Sequence, residues 1–165
     1  HRSHTAGGTL SNAFGDFTLR AEAGYSTDRY VHTTAMEESD GLARTPELSA
    51  VLGLDYSGIT NVLLSAQLFS SPLSRHHPGM TRERRQDRAT FLVRGDFLND
   101  TLTTEMLLIH SFDHEDGAAQ FSLDYRLRSH ITLQAGLDLL YGNRRGDFGQ
   151  FRAEDRLSLG LEYSF

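Results

Sequence analysis

Along almost the whole chain apolar residues recur at every second position, while helical spacing is hard to find. A period of two is the mark of β-strands, because successive side chains of a strand point to opposite faces. Following the apolar phase of each segment predicts eight strands: Phe17 to Tyr25, Leu48 to Tyr56, Val62 to Phe69, Ala89 to Phe97, Leu102 to Phe112, Ala119 to Leu127, Ile131 to Tyr141 and Leu157 to Phe165. Most match the roughly nine to eleven residues that a tilted membrane-crossing strand requires. One face carries Phe17, Leu19, Ala21, Ala23 and Tyr25, then Leu48, Ala50, Leu52, Leu54 and Tyr56, and continues in that style without a single Asp, Glu or Arg. The opposite face holds Arg20, Glu22, Asp55, Arg94, Asp96, Glu105, Asp124, Arg126, Asp138 and Glu162. The phase was set by apolar residues, so the informative fact is that no strand carries charge on both faces. A half-buried sheet over a protein core would alternate in the same way, so other features must decide what the apolar face meets.

Connection lengths alternate. Short links at Ser57 to Asn61, Leu98 to Thr101 and Arg128 to His130 contrast with long ones at Ser26 to Glu47, Ser70 to Arg88 and Gly142 to Arg156, with a modest one at Asp113 to Ala118. Outer-membrane barrels join their strands in this fashion, with short turns on one side and long loops on the other. Pro46, Pro72 and Pro78 all fall in the long links, where a missing backbone donor costs a sheet nothing. Rings of the apolar face also sort to the strand ends, as in membrane girdles. Tyr25, Phe91, Phe112, Phe121 and Tyr141 lie toward one rim, and Phe17, Tyr56, Phe97, Tyr125, Tyr163 and Phe165 toward the other. Residues 1 to 16 are read as a periplasmic N-terminal segment or the remnant of an earlier strand, within one barrel domain over 1 to 165.

Composition narrows the reading without redirecting it. The 165 residues suit one domain. The longest apolar run, Met106 to Ile109, is far short of a spanning helix. With no Cys there is neither a disulfide framework nor a thiolate metal site. All basic charge is Arg, and the formal net charge of -6 argues against nucleic acid as a partner.

The ending, Ser158-Leu159-Gly160-Leu161-Glu162-Tyr163-Ser164-Phe165, resembles the C-terminal β-signal of bacterial outer-membrane barrels. That resemblance implies a bacterial outer-membrane location and recognition by the barrel-assembly machinery, with Gly160, Tyr163 and Phe165 as the assembly signal. Leu54-Asp55-Tyr56-Ser57-Gly58-Ile59-Thr60, Phe97-Leu98-Asn99-Asp100-Thr101-Leu102 and Asp155-Arg156-Leu157 through Phe165 are similar to the C-terminal part of a proteobacterial outer-membrane family of unassigned function. Some of its members are encoded near RND-type exporters, which implies an exporter as a partner and hydrophobic compounds as cargo. Its members are considerably longer, so the chain is either a compact closed barrel of eight strands or the last eight strands of a larger one.

The chemistry expected depends on that choice. In a closed eight-stranded barrel the interior is filled by side chains. Arg20, Glu22, Arg94, Glu105, Asp124 and Arg126 would then pair with one another as a lumen charge network, because an isolated buried charge is costly. In a wider barrel they would line a channel, and the excess of inward acids would lean it toward cations. No enzyme is expected. His110 and Ser111 are adjacent on a strand and face opposite ways, so they cannot act as base and nucleophile together. His32, His76, His77 and His114 lie in links without a nucleophile at defined spacing, and Glu37-Glu38 sit in a polar loop with nothing to activate them. No metal or cofactor is predicted. Arg82, Arg84, Arg85 and Arg88 form the strongest charge cluster, and guanidinium forks at an outer rim suit the phosphates of lipopolysaccharide. The expected function is passive, porin-like transport or a part in an export-linked barrel, the alternative being a non-conducting anchor, adhesin or envelope stabiliser.

Overall fold

A computed structural model of the chain describes residues 3 to 34 and 41 to 165. Glu37 and Glu38 lie outside the described residues. Among the described residues nine strands follow one another: β1 (Thr5–Phe14), β2 (Phe17–His32), β3 (Leu42–Ile59), β4 (Val62–Pro72), β5 (Arg85–Phe97), β6 (Leu102–Ser111), β7 (Asp116–Arg128), β8 (Ile131–Tyr141) and β9 (Arg156–Tyr163). They form one sheet in sequence order, each antiparallel to the next, so the topology is up and down throughout. The one helical element among the described residues is a single 3-10 turn, Gly149–Phe151, between β8 and β9.

The eight predicted strands are all present, and a ninth precedes them. Residues Thr5–Phe14 pair along their whole length with β2, from Thr5 opposite Ser26 to Phe14 opposite Phe17. Their sequence, Thr-Ala-Gly-Gly-Thr-Leu-Ser-Asn-Ala-Phe, is too poor in bulky apolar side chains for alternation to reveal it. The two strands meet in a tight turn at Gly15, whose φ of +59° is one that glycine adopts at little cost.

β2 and β3 extend well past the predicted boundaries, to His32 and back to Leu42, so the long link between them is shorter than expected. A bulge breaks the pairing between Ser26 opposite Glu47 and Arg29 opposite Thr45. Pro46 sits inside β3 at this interruption, and Pro72 ends β4. The expectation that every proline lies in a loop is corrected accordingly: a bulge and a strand end are the places in a sheet where a missing N–H is tolerated. Only Pro78 is in a loop.

No protein layer covers the apolar face among the described residues. Leu52 is 50% exposed and Leu68 55%, and Leu54, Phe91, Phe121 and Leu139 are exposed as well. The buried hydrophobic residues are few, Val31, Ala43, Leu73 and Ala118, and they lie at the long-loop rim on the polar side of the sheet. An apolar face of this extent left bare needs an apolar surrounding rather than water.

The polar face and its rim as candidate functional site

Register builds the polar face row by row. Arg20 lies opposite Gly53, Glu22 opposite Val51, Arg94 opposite Glu105, Asp124 opposite Gln134 and Arg126 opposite Thr132. Arg20 donates to Asp55 at 2.8 Å, reaching diagonally across the space that Gly53 leaves open. Asp138 accepts from Arg156 at 2.7 Å and from the Gln120 amide at 3.1 Å, and Thr103 donates to Asp96 at 2.7 Å. The six predicted network residues therefore do not satisfy one another. Arg20 pairs with an acid outside the set, and Glu22, Arg94, Glu105, Asp124 and Arg126 form no ion pair among the described residues. Mutual pairing was expected of a narrow, dry interior, and this face belongs to a sheet whose first and last strands are not joined.

Two long loops fold onto the polar side. The β4–β5 connection, residues 73 to 84, lies along the extension of β2 and β3, with Leu73 and Thr45 almost wholly buried. Isolated bridges join Thr33 to Met80 and Glu47 to Leu73, and Thr45 Oγ1 donates to the Arg75 carbonyl at 2.7 Å while accepting from the Arg75 N–H at 3.0 Å. Glu47 fastens the loop: its carboxylate takes Arg82 at 2.6 Å, Arg29 at 3.3 Å and the Ser71 hydroxyl. Burial alone would raise the Glu47 pKa, but the hydrogen bonds from Arg82 and Ser71 and the charges of Arg82 and Arg29 outweigh it and hold the carboxyl below its usual range.

The β8–β9 loop is fastened by a second acid. Asp116 is fully buried on the polar side at the start of β7, and its Oδ2 accepts from the Phe148 N–H at 2.7 Å and the Gly149 N–H at 3.1 Å, which anchors the 3-10 turn. The chain passes so close that a Cβ on Gly142, whose φ is +104°, would collide with the Asp116 backbone. Arg88 of β5 reaches Asp147 at 2.7 Å and lies 5.4 Å from the Phe148 ring, tying the same loop to mid-sheet. A recess of about 330 Å³ lies along this rim, lined among others by Phe69, Ser71, Thr90, Ile109 and Arg88.

These contacts place the arginine cluster. Arg82 and Arg88 turn toward the polar side and are engaged with Glu47 and Asp147. Arg85 pairs with Asp87 at 2.8 Å. A hydrogen bond with Ser70, then the Arg85 hydrogen bond and charge, keep the Asp87 carboxyl below its usual range against the opposing effect of its slight burial. Arg84 enters the described contacts through its carbonyl, which accepts from the Leu73 N–H. The four do not form one outward-facing cationic patch. Sequence reasoning missed Glu47, Asp116 and Asp147, because each is one acid in a polar stretch until the fold sets it against its partners.

His110 and Ser111 face opposite ways as expected. Ser111 is buried on the polar side, while the His110 ring packs edge-on to Phe112 at 5.0 Å and places Nδ1 3.2 Å from the Tyr141 hydroxyl. His110, Phe112 and Tyr141 thus group at the long-loop rim, and Phe17 with Tyr56, 4.6 Å apart, at the other. Gly160 and Tyr163 lie on β9, where the Tyr163 ring packs edge-on to His130 at 5.3 Å, and Phe165 lies just beyond it.

No protein-family model matches the chain, and comparison with curated proteins finds no relative. Among solved structures the chain is similar to in-vitro folded OmpT, an outer membrane protein of Vibrio cholerae, with a TM-score of 0.54 and 12% identity over 99% of this chain and 56% of that one. It also matches outer-membrane expressed OmpT of the same organism, with a TM-score of 0.49 and 13% identity over 99% and 57%. The chain therefore spans little more than half the length of the OmpT chain, and the likeness is one of fold: an antiparallel, up-and-down outer-membrane β-barrel wall. The exclusion of an enzyme is corrected here. It rested on spacing along the chain, whereas a wall of the kind found in OmpT sets residues of distant strands side by side at its rim, as with His110 and Tyr141 or Asp116 and Phe148. Spacing in the sequence therefore excludes no catalytic grouping.

Proposed function

We propose that the chain forms wall of a bacterial outer-membrane barrel with a wet lumen, through which small solutes pass passively and cations pass more readily than anions. The observation that carries this is the polar face itself. Glu22, Arg94, Glu105, Asp124 and Arg126 stand there without ion-pair partners among the described residues, and charges left unpaired need water. A lumen plugged by side chains would have to compensate them, as a non-conducting anchor or adhesin would require. Glu22, Asp55, Asp96, Glu105, Asp124, Asp138 and Glu162 outnumber Arg20, Arg88, Arg94, Arg126 and Arg156, so the potential along the wall favours cations. On this reading the bare apolar face meets lipid, and Arg84 and Arg85 are the arginines left for lipopolysaccharide. The barrel-assembly machinery reads Gly160, Tyr163 and Phe165, and an RND-type exporter is the partner if the cargo is hydrophobic.

The test is single-channel recording of the outer-membrane protein in a planar bilayer under a salt gradient. Stable conductance with a cation-selective reversal potential is expected. A properly inserted barrel that conducts nothing would overturn the proposal and leave the anchor reading.

A further inference from the structure

The two edges of the sheet carry more information than its faces. β1 is hydrogen-bonded to β2 alone and β9 to β8 alone. Every residue of both strands is exposed, with Leu157, Leu159 and Leu161 at 72%, 81% and 69%. In a bilayer such edges are untenable, because hydrocarbon offers nothing to their free N–H and C=O groups. Something must pair with them, and strand direction limits what it can be.

β1 runs toward the short-turn rim, where Gly15 and Asp16 lead into β2. β9 leaves the β8–β9 loop at the opposite rim and so runs toward the short-turn rim as well. Nine alternating strands must end as they began. Joining β9 to β1 would create one parallel pair in a wall that is otherwise antiparallel, against the even, antiparallel count of bacterial single-chain barrels. A second copy fares no better: inserted with its long loops on the same side of the membrane, it would present its β1 to β9 in parallel too.

We infer that β1 and β9 each pair with a further antiparallel strand of the same polypeptide, outside residues 1 to 165, and that the strands completing the wall are odd in number. The inference rests on the reading as a transmembrane barrel, and it fixes the lumen as wider than eight or nine strands allow. The similarity to OmpT points the same way. Nine strands occupy the equivalent of 56% of that chain, which scales to about sixteen strands, well beyond a barrel of eight or nine. A barrel of that size encloses an aqueous channel rather than a packed core.

The absence of cysteine makes the wall directly testable. In the full outer-membrane protein, a photo-reactive benzophenone residue at Leu10 or at Leu159 should cross-link to peptides from outside residues 1 to 165 of the same polypeptide, without a gain in apparent mass. Cysteine pairs between β1 and β9 in parallel register, such as Leu10 with Leu159 and Gly8 with Leu157, should give disulfide at background level. The register pairs Leu10 with Ala21 and Leu133 with Leu161 should oxidise almost completely as controls. Disulfides between β1 and β9 would overturn the inference, and so would a photo-adduct at dimer mass or one joined to a different protein. The outcomes separate from the transport proposal: cross-links to further strands in a barrel that does not conduct would sink transport alone, whereas a conducting barrel closed by β1 on β9 would sink this inference alone.

Discussion

At the scale of single residues the sheet divides into positions that meet an apolar surrounding and positions that do not. Leu52 and Leu137 lie on the apolar face, Gln67 and Gln134 on the polar one. A charged residue at the bilayer midplane costs about 2 to 4 kcal/mol on the lipid side and much less on the lumen side. Leu52→Arg and Leu137→Arg should lower the unfolding free energy in lipid vesicles by that amount, measured by urea titration of the heat-modifiable band. Gln67→Arg and Gln134→Arg should stay near wild type. Equal tolerance of all four would show that the faces are assigned the wrong way round.

Glu47 is a residue-scale device of a different kind, because one carboxylate holds a whole loop. Its folded pKa lies below the ordinary 4.5. A carboxyl depressed on folding contributes stability that is fully present above its unfolded value and is lost as pH falls through the folded one. Loop 73 to 84 should therefore resist proteolysis at neutral pH and open only on acidification below about 4.5. Glu47→Gln should loosen the loop at pH 7 and flatten the pH dependence, since a neutral amide cannot offset the charges of Arg82 and Arg29, at a cost on the order of 1 to 3 kcal/mol. Limited digestion with trypsin at neutral pH and with pepsin in acid reads both.

Asp116 divides its role more simply. Its one engaged oxygen accepts from two backbone N–H groups, and an amide oxygen can do the same. Asp116→Asn should preserve the β8–β9 loop, while Asp116→Ala should raise hydrogen exchange at Phe148 and Gly149 several-fold. Protection unchanged in the alanine variant would mean that the loop is held by Arg88 and Asp147 instead.

At the scale of elements, what the sequence revealed and what it hid follow from where a strand lies. β2 to β9 alternate because each sets one row of side chains against an apolar surrounding, and that constraint leaves a period of two. Residues 26 to 32 and 42 to 47 stand beyond it at the rim, so Thr27, Asp28, Arg29 and Arg44 carry no such pattern, and the bulge opposite Pro46 shifts the phase. β1 hides for another reason: Gly7, Gly8, Ser11 and Asn12 fill a strand whose pairing with β2 needs only backbone. The charged face was legible residue by residue, but its partnerships were not, because Arg20 with Asp55 and Arg88 with Asp147 are separated by 35 and 59 residues. β9 carries the ending that resembles an assembly signal. Deleting Phe165 should leave the protein in the periplasm and sensitive to protease, while its removal costs the sheet nothing, since it lies beyond the last paired residue, Tyr163. Normal insertion of the deletion variant would remove the ground for reading the ending as an assembly signal.

At the scale of the whole molecule, on the transport reading proposed above, selectivity should follow from which charges are free as well as from their balance. Arg20 with Asp55 and Arg156 with Asp138 are mutually neutralised at 2.8 and 2.7 Å, and such pairs add little to the field a passing ion meets. Glu105 and Asp124 are not so paired, and neither are Arg94 and Arg126. Arg94 lies directly opposite Glu105 in the register and offsets part of its field, while Asp124 faces Gln134 and Thr103 and has no cation opposite. Asp124→Asn should therefore reduce cation preference more than the double change Arg20→Gln with Asp55→Asn, which removes a mutually neutralised pair and leaves the net charge of the wall unchanged. The difference belongs to low salt. The Debye length is about 10 Å at 0.1 M and about 3 Å at 1 M, so reversal potentials of the two variants should separate in the dilute solution and converge in the concentrated one. Identical shifts at both salt concentrations would mean that the selective charges sit in strands other than these nine.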